Sequence, residues 1–243
     1  MRSFLLALQL LTRIPVKIGG EVQKQEMVRS VTMFPLVGLL VGGAMGLVYY
    51  LASPILPGSL PAWLAVLTAL LLTGGLHLDG LMDTADGVFG SHTRARALAI
   101  MRDSRTGAMG VMACVLDLGI KTTALSSFIG PDIYPVLLLA PAAARTAMVL
   151  AMRYPYARQG KGVGSPYAGQ VGKGHIMLSV LLTLALSALI MGVQGIIVVM
   201  GAWLAAAAIA WWLAKRLGGM TGDAYGFINE IAEVSFLLLA LAV

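Results

Sequence analysis

Val31-Thr-Met-Phe-Pro-Leu-Val-Gly-Leu-Leu-Val-Gly-Gly-Ala-Met-Gly-Leu-Val-Tyr-Tyr-Leu51 carries no charged side chain. As a helix rising 1.5 Å per residue, it is long enough to cross the roughly 30 Å hydrocarbon layer of a bilayer. Gly38, Gly42 and Gly46 recur along it at four-residue spacing. They leave a flat strip on which another helix can lie close, either within the chain or in a second copy of it. Further apolar runs follow near residues 61–76, 107–128, 134–152, 176–191, 195–214 and 227–243. With 58% hydrophobic and 12% charged residues and a mean hydropathy of +0.87, the fold class is all-α. The expectation is a polytopic transmembrane helix bundle of about seven spans forming a single domain, 1–243, and a homo-oligomer is compatible with it. Six or eight spans also fit, because the fifth and sixth segments are short.

If the spans alternate from a cytoplasmic N-terminal segment, every loop Lys and Arg falls on one side. The opposite loops, 53–60, 129–133 and 192–195, contain Asp132 as their only charge. This is the positive-inside pattern, and it places the polar chemistry on the cytoplasmic side of the membrane. The net charge of +6 is explained in the same way, so no nucleic-acid partner is implied; the surrounding partner is membrane lipid. Residues 4–11 are apolar but too short to span and lack a small-residue cleavage site, so an interfacial or re-entrant helix is expected there rather than a signal peptide. The single cysteine, Cys114, leaves no intrachain disulfide and reads as a small core residue.

Chemistry concentrates in His77-Leu-Asp-Gly-Leu-Met-Asp-Thr-Ala-Asp-Gly-Val-Phe-Gly90. Asp79, Asp83 and Asp86 are four and three residues apart, a spacing that stacks them on one helix face. Their mutual repulsion is relieved by Mg²⁺, which takes hard oxygen ligands and shares itself with substrate phosphates. A solvated acidic face is the plainer alternative. Arg102, Asp103 and Arg105 follow on a polar loop, and arginine forks suit phosphate oxygens. Lys161 lies in a glycine-rich basic loop, and Thr221-Gly-Asp223 adds a hydroxyl and another acid.

Charges also fall inside the spans. Asp117 and Lys121 are one turn apart and can pair with each other. Arg145 needs a partner from another helix, a ligand anion, or a snorkelled path to the interface. Asn229, Glu230 and Glu233 either cap the last helix or complete a cation site. Acid-bound Mg²⁺ with arginines describes phosphoryl transfer at a membrane face. No Walker A motif is present.

Thr73-Gly-Gly-Leu-His-Leu-Asp-Gly-Leu-Met-Asp-Thr-Ala-Asp-Gly87 resembles the signature of the cobalamin synthase (adenosylcobinamide-GDP ribazoletransferase) family. Ile14-Pro15, Phe34-Pro-Leu-Val-Gly38, Ile100-Met-Arg-Asp-Ser-Arg-Thr-Gly107 and Gly218-Gly-Met-Thr-Gly-Asp223 before Asn229-Glu230 agree in the same order. The resemblance covers essentially the whole chain. It implies transfer between adenosylcobinamide-GDP and α-ribazole or its 5′-phosphate, with release of GMP, a late step of cobalamin (vitamin B12) synthesis that uses Mg²⁺. In that frame Asp79, Asp83 and Asp86 hold the metal, and one of them, or Asp103, accepts the hydroxyl proton. Arg102 and Arg105 neutralise the transferred phosphate or the leaving GMP. His77, Lys121, Arg145, Lys161, Asp223, Asn229 and Glu230 are the remaining substrate-side candidates.

Two other readings stand beside it. A CDP-alcohol phosphotransferase also clusters aspartates at a membrane edge, but here Ala95-Arg96 lies too far along and the downstream aspartate pair is missing. A cation-coupled transporter would run its path past Asp117, Lys121, Arg145 and Glu230.

Overall fold

The computed structural model describes residues 1–158, 162 and 164–243. Regular structure among them is helical: α1 (Arg2–Leu11), α2 (Lys24–Ser30), α3 (Phe34–Ala52), α4 (Leu60–Thr73), α5 (Leu76–Phe89), α6 (Arg94–Ile100), α7 (Ala108–Ser126), α8 (Ile133–Ala151), α9 (Lys173–Leu217) and α10 (Gly222–Ala240), with 3-10 turns at Val31–Met33 and Gly130–Asp132. The chain is an all-α membrane bundle. Lys24–Ala52, Ala108–Ser126, Gly130–Ala151 and Lys173–Leu217 are each long and apolar enough to cross a membrane, and a fifth span results if α4 and α5 are taken together.

Length and composition do not establish a count of seven, and three features bear on the number. At 14 residues, α4 is short for a span. Asp223, Glu230 and Glu233 make α10 polar, and the bundle buries both glutamates. The third is α9, whose 45 residues are two arms about a break, in agreement with the fifth and sixth expected segments. Gly192, at φ 63° and ψ −144°, breaks the helix. A Cβ on Gly195 would lie 2.7 Å from the carbonyl oxygen of Ser187, whereas eight residues of straight helix separate atoms by about 12 Å. Both arms also reach the same part of α8. Thr183 meets the Thr146 hydroxyl at 2.6 Å, and the Trp203 indole N–H donates to Ala143 O at 2.9 Å.

α8 is buried along almost its whole length and forms the axis of the bundle. The glycine strip of α3 serves this internal contact. A Cβ at Gly38 would stand 2.5 Å from Ala142 Cα, and one at Gly42 would stand 2.7 Å from Leu138 O. Gly46 only faces the ring of Tyr134, at 3.9 Å. The close approach gains dispersion contacts that bulkier side chains would hold apart.

Basic side chains tie one end of the bundle together. Arg216 donates to Ser91 O and His92 O, and Arg94 donates to Ala157 O. At the same end, Gly74 and Gly75 both take left-handed φ values of 65° and 70°, which ends α4 and starts α5 with an 89° bend. The acidic helix therefore does not continue the second span as a straight rod; it turns across the end of the bundle. There it packs mainly on α10 and α7.

Candidate active site

The position of α5 on α10 is decided by two glycines. A Cβ on Gly80 would lie 2.6 Å from the carbonyl oxygen of Asp223, and a Cβ on Gly226 would lie 2.8 Å from that of His77. Only hydrogen at both positions allows the two backbones to cross this closely. The crossing brings Asp79 and Asp83 of α5 beside Asp223 in the first turn of α10. Asp83, half-buried, feels the negative charge of Asp79 and Asp223 and, more weakly, of Asp86, opposed by the cation of Arg158. Gly80→Ala is expected to force the helices apart and cost about 1–3 kcal/mol of stability. A shift of about 1 Å in the carboxylates is expected to lower turnover on the order of 100-fold. Thermal unfolding and kcat, measured on the same preparation, check both.

Arg158 is held by its own loop. Pro155 O accepts from Met220 N–H, and Met220 O accepts from Ala157 N–H, both at 2.8 Å, forming the isolated parallel bridge between Tyr156 and Met220. Gly219, at φ 141°, lets Pro155 O come this close. Arg158 then donates to Asp223 Oδ2 at 2.5 Å and to Met101 O at 3.1 Å. It thereby fastens the loop after α6 to the rim of the site.

Asp86 has a different environment from the other two acids of α5. Its Oδ2 accepts from Gly107 N–H at 2.7 Å and its Oδ1 from Gly110 N–H at 2.8 Å. A buried carboxylate thus satisfies two of the free donors at the start of α7, where the helix dipole also favours negative charge. Gly107 and Gly110 leave it room: a Cβ on either would stand 2.5 Å from an Asp86 oxygen. A metal drawn to Asp86 would have to compete with both N–H groups.

On the loop, Asp103 and Arg105 grip each other, with Arg105 Nη2 donating to Asp103 Oδ2 at 2.6 Å. The Arg105 hydrogen bonds push the Asp103 carboxyl down to about 2, which makes it a poor proton acceptor at neutral pH. Arg102 is exposed and also has a partner. Lys161 lies outside the described residues.

The in-span charges come together in a separate, closed place. Lys121 contacts Glu230, lies 3.2 Å from Asp117 Oδ2 and 3.7 Å from Glu233 Oε1, and is buried with all three. Asn229 Nδ2 donates to Glu230 Oε1 at 3.2 Å. Arg145 does not snorkel: it is 2% exposed, donates to Pro141 O at 3.0 Å, and faces Glu233 and Glu230. Nor do Glu230 and Glu233 cap the last helix, because α10 starts at Gly222 with the Thr221 hydroxyl accepting from Ala224 N–H. A cavity of about 30 Å³ lies among His77, Lys121, Arg145, Glu230 and Glu233, room for a water molecule or two. Lys121, Arg145 and Glu230 line this cavity and are not among the residues lining the larger pocket. His77 lines both it and the larger pocket.

That pocket, about 240 Å³, lies under α1, with Asp79 and Asp223 on its wall. Four of its determinants had no signal in linear spacing: Arg158, Tyr225, Gly80 and Gly226. Arg158 is one cation among several in a basic loop, and the two glycines are far apart in the chain.

A family model described as "Cobalamin-5-phosphate synthase" matches residues 3–241. The chain belongs to the cobalamin-5-phosphate synthase family. Among curated relatives of this family, an adenosylcobinamide-GDP ribazoletransferase of Clostridium novyi is 34% identical, covering 100% of this chain and 97% of the relative. The enzyme of the same name from Klebsiella pneumoniae subsp. pneumoniae is 37% identical over 99% of this chain and 100% of the relative. That of Syntrophobacter fumaroxidans is 41% identical over 97% and 96%. No solved structure matches the chain. As a cobalamin-5-phosphate synthase family member, the chain is a transferase, and the acid-rich crossing of α5 and α10 is its candidate catalytic centre.

Proposed function

We propose that this chain joins adenosylcobinamide-GDP to α-ribazole or its 5′-phosphate, releasing GMP and forming adenosylcobalamin or its 5′-phosphate. The observation that carries the reading is the convergence of Asp79, Asp83 and Asp223 with Arg158 at the rim of a pocket, in a chain matching its named relatives from end to end. The basic end of the bundle faces the cytoplasm in this reading, consistent with its Arg and Lys content.

The donor set suits Mg²⁺. Among the described residues no three His, Cys, Asp or Glu side chains already stand together as a complete metal cage. Mg²⁺ needs only one or two protein carboxylates, the rest of its shell being water and substrate phosphate. Asp79 and Asp83 would hold it, with Asp223 close by, and when bound it supplies charge neutralisation at the pyrophosphate.

A ribose hydroxyl of the acceptor attacks the phosphorus on the cobinamide side of the pyrophosphate. The new P–O bond forms as the bond to the bridging oxygen breaks, and GMP leaves with that electron pair. A carboxylate at the crossing that is not holding the metal takes the hydroxyl proton, a role for which Asp103, engaged by Arg105, is poorly suited. Arg158, joined to Asp223 but with further N–H groups, orients phosphate oxygens at the rim.

Purified protein in lipid nanodiscs, given adenosylcobinamide-GDP, α-ribazole and Mg²⁺, is expected to release GMP and form cobalamin in equal amounts. EDTA is expected to stop both, and excess Mg²⁺ to restore them. A folded wild-type protein that forms no product would overturn the assignment. Turnover of a CDP-activated lipid instead would favour the phosphotransferase alternative.

A further inference from the structure

The pocket under α1 has one charged wall, and the rest of its lining is unlike it. Asp79 and Asp223 stand on one side, while Leu10 and Leu11 of α1, Phe34 of α3, and Met148 and Met152 at the end of α8 make an apolar lining with Tyr167. Phe34 and Tyr167 pack on each other at this lining, tilted by 60° with centroids 6.3 Å apart. Tyr225 also lines the pocket; it is 3% exposed and its hydroxyl has no hydrogen-bond partner among the described residues. An unpaired buried hydroxyl is unfavourable by itself, and a ligand atom that accepts from it removes the penalty.

We infer that this cleft is the acceptor subsite, holding a flat aromatic base within its apolar lining of Met148, Met152 and Tyr167, with its ribose toward Asp79 and Asp223. The inference rests on the proposed transferase reading and says which substrate goes where. Size separates the two substrates. A volume of about 240 Å³ is at the small end of ligand pockets and far below what a corrin macrocycle with its side chains requires. The larger donor is left to approach from the open side, bringing its pyrophosphate to the acids.

Chemistry agrees with size. Methionine sulfur and aromatic edges favour a planar heteroaromatic ring over a charged group. The Tyr225 hydroxyl donates to the ring nitrogen that is not bonded to ribose, and the ribose hydroxyls donate to the carboxylates at the rim. The same arrangement directs the attacking hydroxyl toward α5. Base preference is then set at Met148 and Met152 of the apolar lining.

The test uses the full-length protein in nanodiscs and measures α-ribazole binding by equilibrium dialysis alongside the KM of each substrate. Tyr225→Phe keeps the ring and removes only the unpaired hydroxyl. It is expected to weaken α-ribazole binding and raise its KM about tenfold, while the KM for adenosylcobinamide-GDP stays unchanged. Met148→Trp fills the cleft and is expected to abolish acceptor binding, with retained binding of adenosylcobinamide-GDP reporting that the protein is folded. Acceptor binding unchanged in both variants, or a rise in donor KM instead, would overturn the subsite while leaving the transferase assignment intact if the wild type still turns over. If folded wild type neither forms product nor binds α-ribazole, the assignment falls and the subsite with it.

Discussion

Replacing Asp83 by Asn is expected to lower the rate of GMP release by about 100- to 1000-fold without unfolding the protein. The expectation comes from charge. Asp83 sits half-buried on α5 with Asp79 and Asp223 as repelling neighbours, opposed by the cation of Arg158. Such crowding is unfavourable to the resting fold and is retained where negative charge is needed for chemistry. Removing one charge therefore relieves repulsion, and the unfolding temperature of Asp83→Asn is expected to stay level or rise. Asp86→Asn provides the contrast. Its carboxylate accepts two backbone N–H groups at the start of α7, so neutralising it is expected to lower the unfolding temperature. Activity and thermal unfolding, measured for both variants, separate a charge held for chemistry from a charge held for folding. An Asp83→Asn protein with full activity would remove Asp83 from the catalytic centre.

The second large effect is expected at Lys121. Lys121→Met would leave Asp117, Glu230 and Glu233 buried together, with Arg145 as the remaining cation facing the two glutamates. Breaking a buried ion cluster by deleting one partner costs about 3–5 kcal/mol, because the charges left behind are desolvated and uncompensated. A large fall in unfolding temperature, or failure to insert, is the expected outcome. The double variant Lys121→Met/Glu230→Gln is expected to regain part of the loss, since it removes one of the orphaned charges along with its partner. If Lys121→Met instead unfolds like the wild type and loses only turnover, Lys121 acts on substrate, and the cluster is not a purely structural device.

These two predictions concern residues that look alike in the sequence, acids and bases in apolar surroundings, and the structure gives them different work. Asp79, Asp83 and Asp86 form one regular series in the chain. Folding leaves Asp79 exposed at the pocket, Asp83 between like charges, and Asp86 buried against the start of α7. Asp117 and Lys121 do pair, as their spacing implies, but the closest contact of Lys121 is with Glu230, which lies on the last helix.

Whatever depends on neighbours in the chain was legible in the residues alone. Charge-free runs long enough to span a bilayer, the all-α class, the basic residues gathered into particular loops, and the short connection at Gly192 all rest on local composition and periodicity. The aspartate signature was legible for the same reason. Tertiary structure alone decided which distant groups meet. Gly80 and Gly226 have to face each other before α5 can lie on α10, and only then does Asp223 join the acids of α5. The tyrosine whose hydroxyl is left unpaired among the described residues, the arginine that reaches Asp223, and the carboxylate that caps α7 were decided in the same way. The physical reason is that helix formation and membrane partition are set by short stretches of chain. The partner of a buried charge or the depth of a helix crossing is set by whatever the rest of the bundle brings within a few ångströms.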